Sequence, residues 1–125
     1  MINTLNLRRV QVISTRAEVL GHDPLHRKRY NTMLSRALSP LPIALEYMAP
    51  FTHPTGRLLA MKGQKADAEI AQSKRAMKML KVNFVKKHLF FVETENETCV
   101  VELMPVKETP GMYPRSVGTA KQKPL

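Results

Sequence analysis

The chain has 125 residues, which suits one domain with a modest core. Twenty lysines and arginines oppose ten acidic residues, so the formal charge is +10 and the calculated pI is near 10.1. This charge predicts attraction to polyanions such as RNA, DNA or an anionic membrane surface. The sequence has no apolar run of about eighteen residues and no leader pattern, which argues against a spanning helix and a signal peptide and predicts a soluble chain.

Strands and helices are predicted to alternate from the amino end, which favours an α/β sheet over a bundle or a sandwich. Val10, Val12 and Ile13 in RRVQVIS predict a first short strand, and YNTMLS predicts a weaker second one. Ser39 then stands where a helix N-cap is expected, followed by Pro40 at the first helical position. The first half of the chain therefore has the order strand, strand, helix.

Past that helix, RLLAM predicts a third strand that follows the turn residues Pro54, Thr55 and Gly56. One helix is predicted from Gln64 to Lys81, with acidic residues early and basic residues late. Two apolar runs, FVKKHLFFV and TCVVELM, predict an antiparallel hairpin across the polar loop 93–97. These elements together predict a mixed sheet that ends in a hairpin.

The last twenty residues contain three prolines, two glycines and little apolar content. They predict an extended, partly mobile, basic arm. We therefore expect a domain over residues 1–105 and an arm over residues 106–125.

Cysteine and histidine usage bounds the chemistry. Cys99 is the single cysteine, which excludes an internal disulfide and favours a reduced, cytoplasmic setting. It is best explained as buried packing rather than as a nucleophile. The four histidines have neither metal-ligand spacing nor a partner cysteine, so no metal site is predicted.

Short sequence blocks narrow the α/β class. They are Arg16-Ala17-Glu18, Ser35-Arg36-Ala37 with Pro40-Leu41, Ala60-Met61-Lys62-Gly63, and the arm TPGMYPRSVGTAKQKPL. In this order and spacing they resemble the bacterial small-subunit ribosomal RNA guanine-N(7) methyltransferases, also called the glucose-inhibited division protein B family. The resemblance covers nearly the whole chain. It implies the C-terminal part of a Rossmann-like class I methyltransferase sheet, with a terminal antiparallel hairpin and an extended arm.

The resemblance also implies a function, namely methyl transfer from S-adenosylmethionine to guanine N7 in small-subunit ribosomal RNA, in the cytoplasm and not at a membrane. The family's glycine-rich loop of Asp-x-Gly-Ser-Gly-x-Gly type is absent from the sequence. We therefore expect a C-terminal half that an upstream polypeptide completes, that binds ribosomal RNA or the ribosomal particle, and that folds poorly alone. The alternative is a noncatalytic RNA-binding remnant or a nonfunctional fragment.

Three cofactor-site residues follow from the resemblance. Ala17 and Glu18 match the pair that lies against the adenine of the cofactor, and Arg36 matches a cofactor-site arginine. Their alternative interpretations are a packing residue, a carboxylate at a helix start and a surface cation. No catalytic side chain is assigned, because guanine N7 carries a lone pair and no proton, so that alignment suffices.

The remaining candidates would bind RNA. Lys62, where the third strand ends, is predicted to face an RNA phosphate or the guanine, or else to be a solvated lysine. On the arm, Tyr113 is predicted to stack on an unpaired base, and Arg115, Lys121 and Lys123 to contact phosphates. Simple tethering of the arm along the domain surface is the alternative. Two further basic groups stand at residues 27–29 and late in the predicted 64–81 helix.

Overall fold

The computed structural model describes residues 2–36, 39–91 and 97–125. Ala37 of the second block and residues 92–96, which include most of the predicted hairpin loop 93–97, lie outside the described residues. The helices are α1 (Ile2–Leu5), α2 (Ala17–Leu20), α3 (Leu41–Met48), which is followed by a 3-10 turn (Ala49–Phe51), α4 (Ala66–Gln72), α5 (Lys74–Leu80) and α6 (Thr119–Gln122). The strands are β1 (Tyr30–Arg36), β2 (Thr52–Lys62), β3 (Val82–Phe91) and β4 (Glu97–Pro105).

The four strands form one mixed sheet in the order β1-β2-β4-β3. β1 and β2 are parallel, whereas β4 is antiparallel to both of its neighbours. A parallel pair needs a crossover, and α3 supplies it. The α/β class, the second strand at YNTMLS and the C-terminal hairpin are confirmed.

One face of the sheet carries the core. Alternate residues of the two central strands, such as Leu58 and Ala60 on β2 and Val101 and Leu103 on β4, are completely buried. The apolar side of α3 and the buried positions of α5 pack on them in the same cluster. This two-layer arrangement brings the carboxyl ends of β1 and β2 together at one edge of the sheet.

The opposite face is open. Leu34 on β1 is 71% exposed, and Met61, Phe90 and Met104, which also alternate with core positions, are 38 to 51% exposed. β1 is also an edge strand of the described sheet. An apolar face and an unpaired edge of this kind favour association with another polypeptide segment.

The first predicted strand is wrong. Residues 10–13 have no regular secondary structure and pair with no described strand, and Val12 is 77% exposed. A strand is stable only when a neighbour accepts and donates its ladder hydrogen bonds. Apolar alternation alone therefore predicted a strand that does not form here, because no described strand pairs with this segment.

The turn predicted before the third strand is also wrong, because β2 begins at Thr52 and runs through Pro54 and Gly56. At Gly56 an added Cβ would lie 2.4 Å from the carbonyl oxygen of Asn31. Glycine is needed here for the close approach of β1, which shows a register irregularity opposite it.

The long helix predicted over residues 64–81 is divided into α4 and α5 at Ser73. The Ser73 hydroxyl is buried and donates to the carbonyl of Glu69 at 2.6 Å. A serine hydroxyl that bonds back to the previous turn bends a helix, which explains the break.

The predicted N-cap is displaced as well. Pro40, not Ser39, occupies the N-cap position of α3, and no side chain of that residue caps the helix. Instead, the Glu69 carboxylate of α4 accepts the backbone N–H of Leu41 at 2.7 Å. The backbone donor at the start of α3 is thus satisfied by a side chain from another helix, whereas the sequence predicted a local cap from Ser39. No helix in the described ranges is long and apolar enough to cross a membrane.

Candidate functional site

The parallel pairing of β1 with β2 places Arg36 opposite Met61 at the carboxyl ends of both strands. A shallow cleft of about 350 Å³ lies there, lined by Arg36, Met61, Lys62, Gly63 and Thr98. Ligands of open α/β sheets bind at such strand ends. This cleft is the candidate functional site.

Arg36 is exposed at the end of β1 and forms no ion pair with any residue that the structure describes. Its planar guanidinium therefore keeps its donors for an anionic or hydroxyl-bearing ligand. Of the residues predicted for the cofactor, Arg36 alone lines the cleft.

The environment of Lys62 differs from both predicted ones, an RNA-facing lysine and a solvated lysine. Its side chain is only 9% exposed, and Nζ lies 3.1 Å from Glu69 Oε1 and also donates to the carbonyl oxygen of Ser39. Because the same Glu69 oxygen accepts from Leu41, this lysine joins the end of β2 to α3 and α4. The predicted contact of the Lys62 ammonium with RNA is not supported by this geometry, and neither is a solvated lysine.

Ala17 and Glu18 begin α2 and lie apart from the lining of the cleft. Ala17 packs against Ile43, Tyr47 and Ala120. Glu18 is 5% exposed and accepts hydrogen bonds from Arg16 at 2.9 Å and from the backbone N–H of Gly118 at 3.0 Å. Its carboxylate is thus occupied by protein donors.

The charge of Glu18 is stabilised in place. Burial alone would raise the pKa of its carboxyl group, but the hydrogen bonds from Arg16 and Gly118 outweigh burial and hold the pKa below the ordinary value of 4.5. Glu18 is therefore ionised at neutral pH and fixes the start of α2 against the arm.

The arm is packed, not free. Tyr113 is 2% exposed, so the predicted stacking of its ring on an RNA base is contradicted. The Arg115 guanidinium bonds both oxygens of Glu46, which is 1% exposed, at 2.7 to 3.2 Å. This pairing raises the pKa of Arg115 and uses the donors that were predicted for phosphate. Lys121 and Lys123 remain exposed.

Comparison with known proteins identifies the relatives of the chain. The family model described as rRNA small subunit methyltransferase G matches residues 1–99. The chain belongs to this family. Curated relatives named ribosomal RNA small subunit methyltransferase G include those of Desulfitobacterium hafniense (36% identical over 126 residues), Lactobacillus johnsonii (34% over 127) and Roseiflexus castenholzii (33% over 125).

Each of these alignments covers the whole of this chain but only 53% of the relative. The chain therefore spans about half the length of the methyltransferase G proteins that it matches. The sequence-based family prediction and the prediction of a half-length match are both confirmed.

Within this chain, Arg27 is a structural residue that sequence reasoning missed. Its guanidinium donates to the carbonyl oxygens of Gly21, Tyr113, Thr109 and Pro110 at 2.5 to 3.2 Å. Burial lowers its pKa, and the nearby Glu108 carboxylate acts in the opposite direction. Three of the four carbonyls belong to the arm, so Arg27 fastens the arm to the loop after α2.

Glu46 was missed as well, although the sequence held a signal for it. It is the one carboxylate within the apolar helix LPIALEYM, and such a position predicts a buried partner for its charge. Next to it in the chain, Tyr47 carries a buried hydroxyl without a hydrogen-bond partner among the described residues. Burial, together with the Glu18 charge, raises the pKa of this tyrosine and keeps it neutral.

The described residues form no metal-binding cluster, since no three His, Cys, Asp or Glu side chains converge among them. The histidines contact other groups, for example His22 with the carbonyl oxygen of Pro114 at 2.6 Å and His88 with Glu102 at 2.8 Å. The candidate site is therefore defined by the cleft at the strand ends and by the free guanidinium of Arg36.

Proposed function

We propose that this chain is part of an enzyme that transfers a methyl group from S-adenosylmethionine to N7 of a guanine in small-subunit ribosomal RNA, in the cytoplasm. The observation that carries the proposal is the family match together with the cleft where β1 and β2 end. Open α/β sheets bind their ligands at that edge.

The described residues fit part of the cofactor. The free guanidinium of Arg36 offers donors to its carboxylate or hydroxyl groups. The Glu18 carboxylate does not fit as a direct ligand, because Arg16 and Gly118 already occupy it. We assign Glu18 the task of holding the α2 turn in position.

In this reaction, the residues of the chain would act by aligning the two reactants. S-adenosylmethionine supplies a methyl group on a sulfonium, and the N7 lone pair of guanine displaces the sulfur in line. No proton is removed in this step, so no general base is required. The residues of this chain would bind and orient, and the strut formed by Lys62 and Glu69 would keep the end of β2 fixed beneath the cleft.

The exposed apolar face of the sheet indicates where the rest of the proposed enzyme would pack against this chain. Leu34 and Met61 expose apolar surface on the face opposite α3, and the curated relatives are about twice as long as this chain. We propose that a polypeptide segment equivalent to the unmatched part of those relatives covers this face and pairs with β1. Without such a segment the apolar face stays exposed, which favours the second candidate, a noncatalytic RNA-binding remnant or a nonfunctional fragment.

The test uses the chain co-expressed with the unmatched half of the Desulfitobacterium relative. We expect the pair to copurify and to bind S-adenosylmethionine by isothermal titration calorimetry, and we expect Arg36→Ala to weaken that binding about tenfold or more, as loss of a charged hydrogen bond does. Arg57→Ala, which removes an exposed arginine from the same sheet but outside the cleft, is the control.

The results separate the two candidates. An unchanged dissociation constant in Arg36→Ala would make this arginine a surface cation. Copurification without cofactor binding or methyl transfer to small-subunit particles would favour the noncatalytic remnant, and failure of the two halves to associate would favour the nonfunctional fragment.

A further inference from the structure

A concave basic surface lies beside α5, away from the candidate cofactor cleft. It has a volume of about 500 Å³ and is lined on its polar side by Lys74, Lys78, Lys81 and Asn83, and on its apolar side by residues that include Phe84 and Val106. We call these six residues the α5 groove. None of its lining residues is acidic.

The cations of the α5 groove are unpaired. Lys74, Lys78 and Lys81 are all exposed, and none has an ion-pair partner within 4.0 Å in the part of the chain that the structure describes. The nearby acids are used elsewhere, since Asp67 pairs with Lys87 and Glu108 with Lys28, each at 2.7 to 2.8 Å. The groove thus holds three positive charges that no described acidic residue neutralises.

An aromatic ring lies among these charges. Phe84 is 41% exposed although it is a large apolar residue, and Val106 beside it is 56% exposed. Phenylalanine rings next to lysines are what proteins use to hold single-stranded nucleic acid, because the ring stacks on a base while the ammonium groups pair with phosphates. An anionic membrane surface would need the charges but not a single ring inside a cleft.

We propose that the α5 groove docks a single-stranded segment of the RNA substrate, with Phe84 stacked on an unpaired base and the three lysines on the phosphates. The choice of RNA as the partner rests on the proposed function. The groove takes over the role that the sequence assigned to Tyr113 and Arg115, whose side chains are occupied within the fold.

The groove is a docking surface and not the reaction site. Val82 begins β3 and pairs with Pro105 at the end of β4, toward the amino end of β2, whereas Arg36 and Lys62 are at its carboxyl end. Continuing the antiparallel register from Leu58 and Leu103 places Pro105 level with Gly56, which is six residues and roughly 20 Å along β2 from Lys62. The nucleotide bound in the groove is therefore distant from the guanine that reacts, and the groove would set which flanking RNA the enzyme accepts.

The test measures RNA binding of the full 125-residue chain without cofactor, as a fusion to a soluble carrier so that aggregation does not prevent the measurement. The probe is a labelled single-stranded RNA of about 12 nucleotides, within the range that such surfaces cover. The groove variant carries Lys74→Gln, Lys78→Gln and Lys81→Asn, with asparagine chosen because Lys81 has a left-handed backbone (φ 62°).

A matched control carries Arg8→Gln, Arg9→Asn and Lys65→Gln. It removes the same number of charges from exposed positions outside the groove, and Arg9 has the same left-handed φ of 62° as Lys81. We expect the groove variant to flatten the log-log salt dependence of binding by about 2, at about 0.7 per lost single-strand phosphate contact, and the control to leave it unchanged. Phe84→Leu keeps the apolar bulk but removes the ring, and should weaken binding roughly tenfold without changing the slope.

Equal slopes in the groove variant and the control would overturn the proposal, because binding would then reflect net charge alone. Unchanged affinity in Phe84→Leu would overturn the stacking, and tighter binding to phosphatidylserine vesicles with the same lysine dependence would identify a membrane as the partner. Loss of RNA binding in the groove variant alone supports the groove even where the completed enzyme transfers no methyl group, so this inference and the proposed function can fail separately.

Discussion

The C-terminal arm, residues 106–125, and the α5 groove are both basic, but the cations of the two regions have different partners. On the arm, Arg115 is paired with the buried Glu46, and Arg27 from the main domain is enclosed by arm carbonyls. In the groove, the lysines of α5 contact no acid among the described residues. The positive charge of a residue near the end of a sequence therefore does not by itself identify a nucleic-acid contact. We expect replacement of the arm arginines to lower stability and replacement of the groove lysines to lower RNA affinity.

The arm is a structural part of the domain. Tyr113 contributes to the main core cluster, and Thr109 is buried with its hydroxyl donating to the carbonyl of Leu80 at 3.2 Å. Tethering along the domain surface, the alternative that the sequence left open, describes this arrangement better than a mobile arm. Its exposed lysines, 107, 121 and 123, are the arm cations that are placed to meet a polyanion.

The largest effect is expected from Arg115→Ala. It leaves the Glu46 carboxylate buried without its bidentate partner, and breaking a buried pair in this way costs about 3 kcal/mol of the free energy of unfolding. Urea unfolding measures the loss. Arg115→Lys keeps the charge but not the fork of donors, so its stability should lie between the two.

This result would separate a structural arginine from an RNA-binding one. If Arg115→Ala unfolded at the wild-type urea concentration and instead reduced RNA affinity, then Arg115 would be the RNA contact that the sequence predicted. The arm and the groove would then no longer differ in function.

A smaller effect is expected from Arg27→Met. Methionine keeps the length of the side chain but leaves the carbonyls of Thr109, Pro110 and Tyr113 without their charged donor, which should cost about 2 kcal/mol. Because those carbonyls lie on the arm, amide hydrogen exchange should accelerate first in residues 106–125. Lys28→Met, which breaks only the exposed pair with Glu108, is the control and should cost less than about 1 kcal/mol. Uniform acceleration across the whole chain would show that Arg27 does not act on the arm in particular.

Sequence reasoning recovered what local pattern determines. Alternation and turn chemistry predicted YNTMLS and the hairpin, because the side chains of β1, β3 and β4 have the period of their sheet. It failed where a distant residue decides. The partner of Lys62 is Glu69, the cap of α3 comes from α4, and the burial of Tyr113 depends on the path of the arm, none of which a local window contains.

The candidate site shows the same limit. Arg36 was predicted from a sequence block and does reach the cleft, because it ends a parallel strand. The α5 groove was visible in sequence only as a basic group late in a helix. Its proposed function depends on the exposure of Phe84 and on lysines that pair with no described acid, which are properties of the folded surface.

The smallest effect, and one of opposite sign, is expected from Lys74→Glu. Lys74 is the first residue of α5, where a positive charge opposes the helix dipole, and it lies four residues before the like-charged Lys78. Glutamate reverses both interactions and should raise the free energy of unfolding by about 0.5 kcal/mol, while RNA affinity falls. A residue whose replacement stabilises the fold and weakens binding is retained at a cost in stability, which is the property expected of a functional cation. Lys65→Glu, at an exposed position just before α4, gives the same charge change outside the groove. Equal losses of RNA affinity in the two variants would show that binding reflects net charge alone. Destabilisation by Lys74→Glu would show that this lysine serves the fold in the way that Arg115 does.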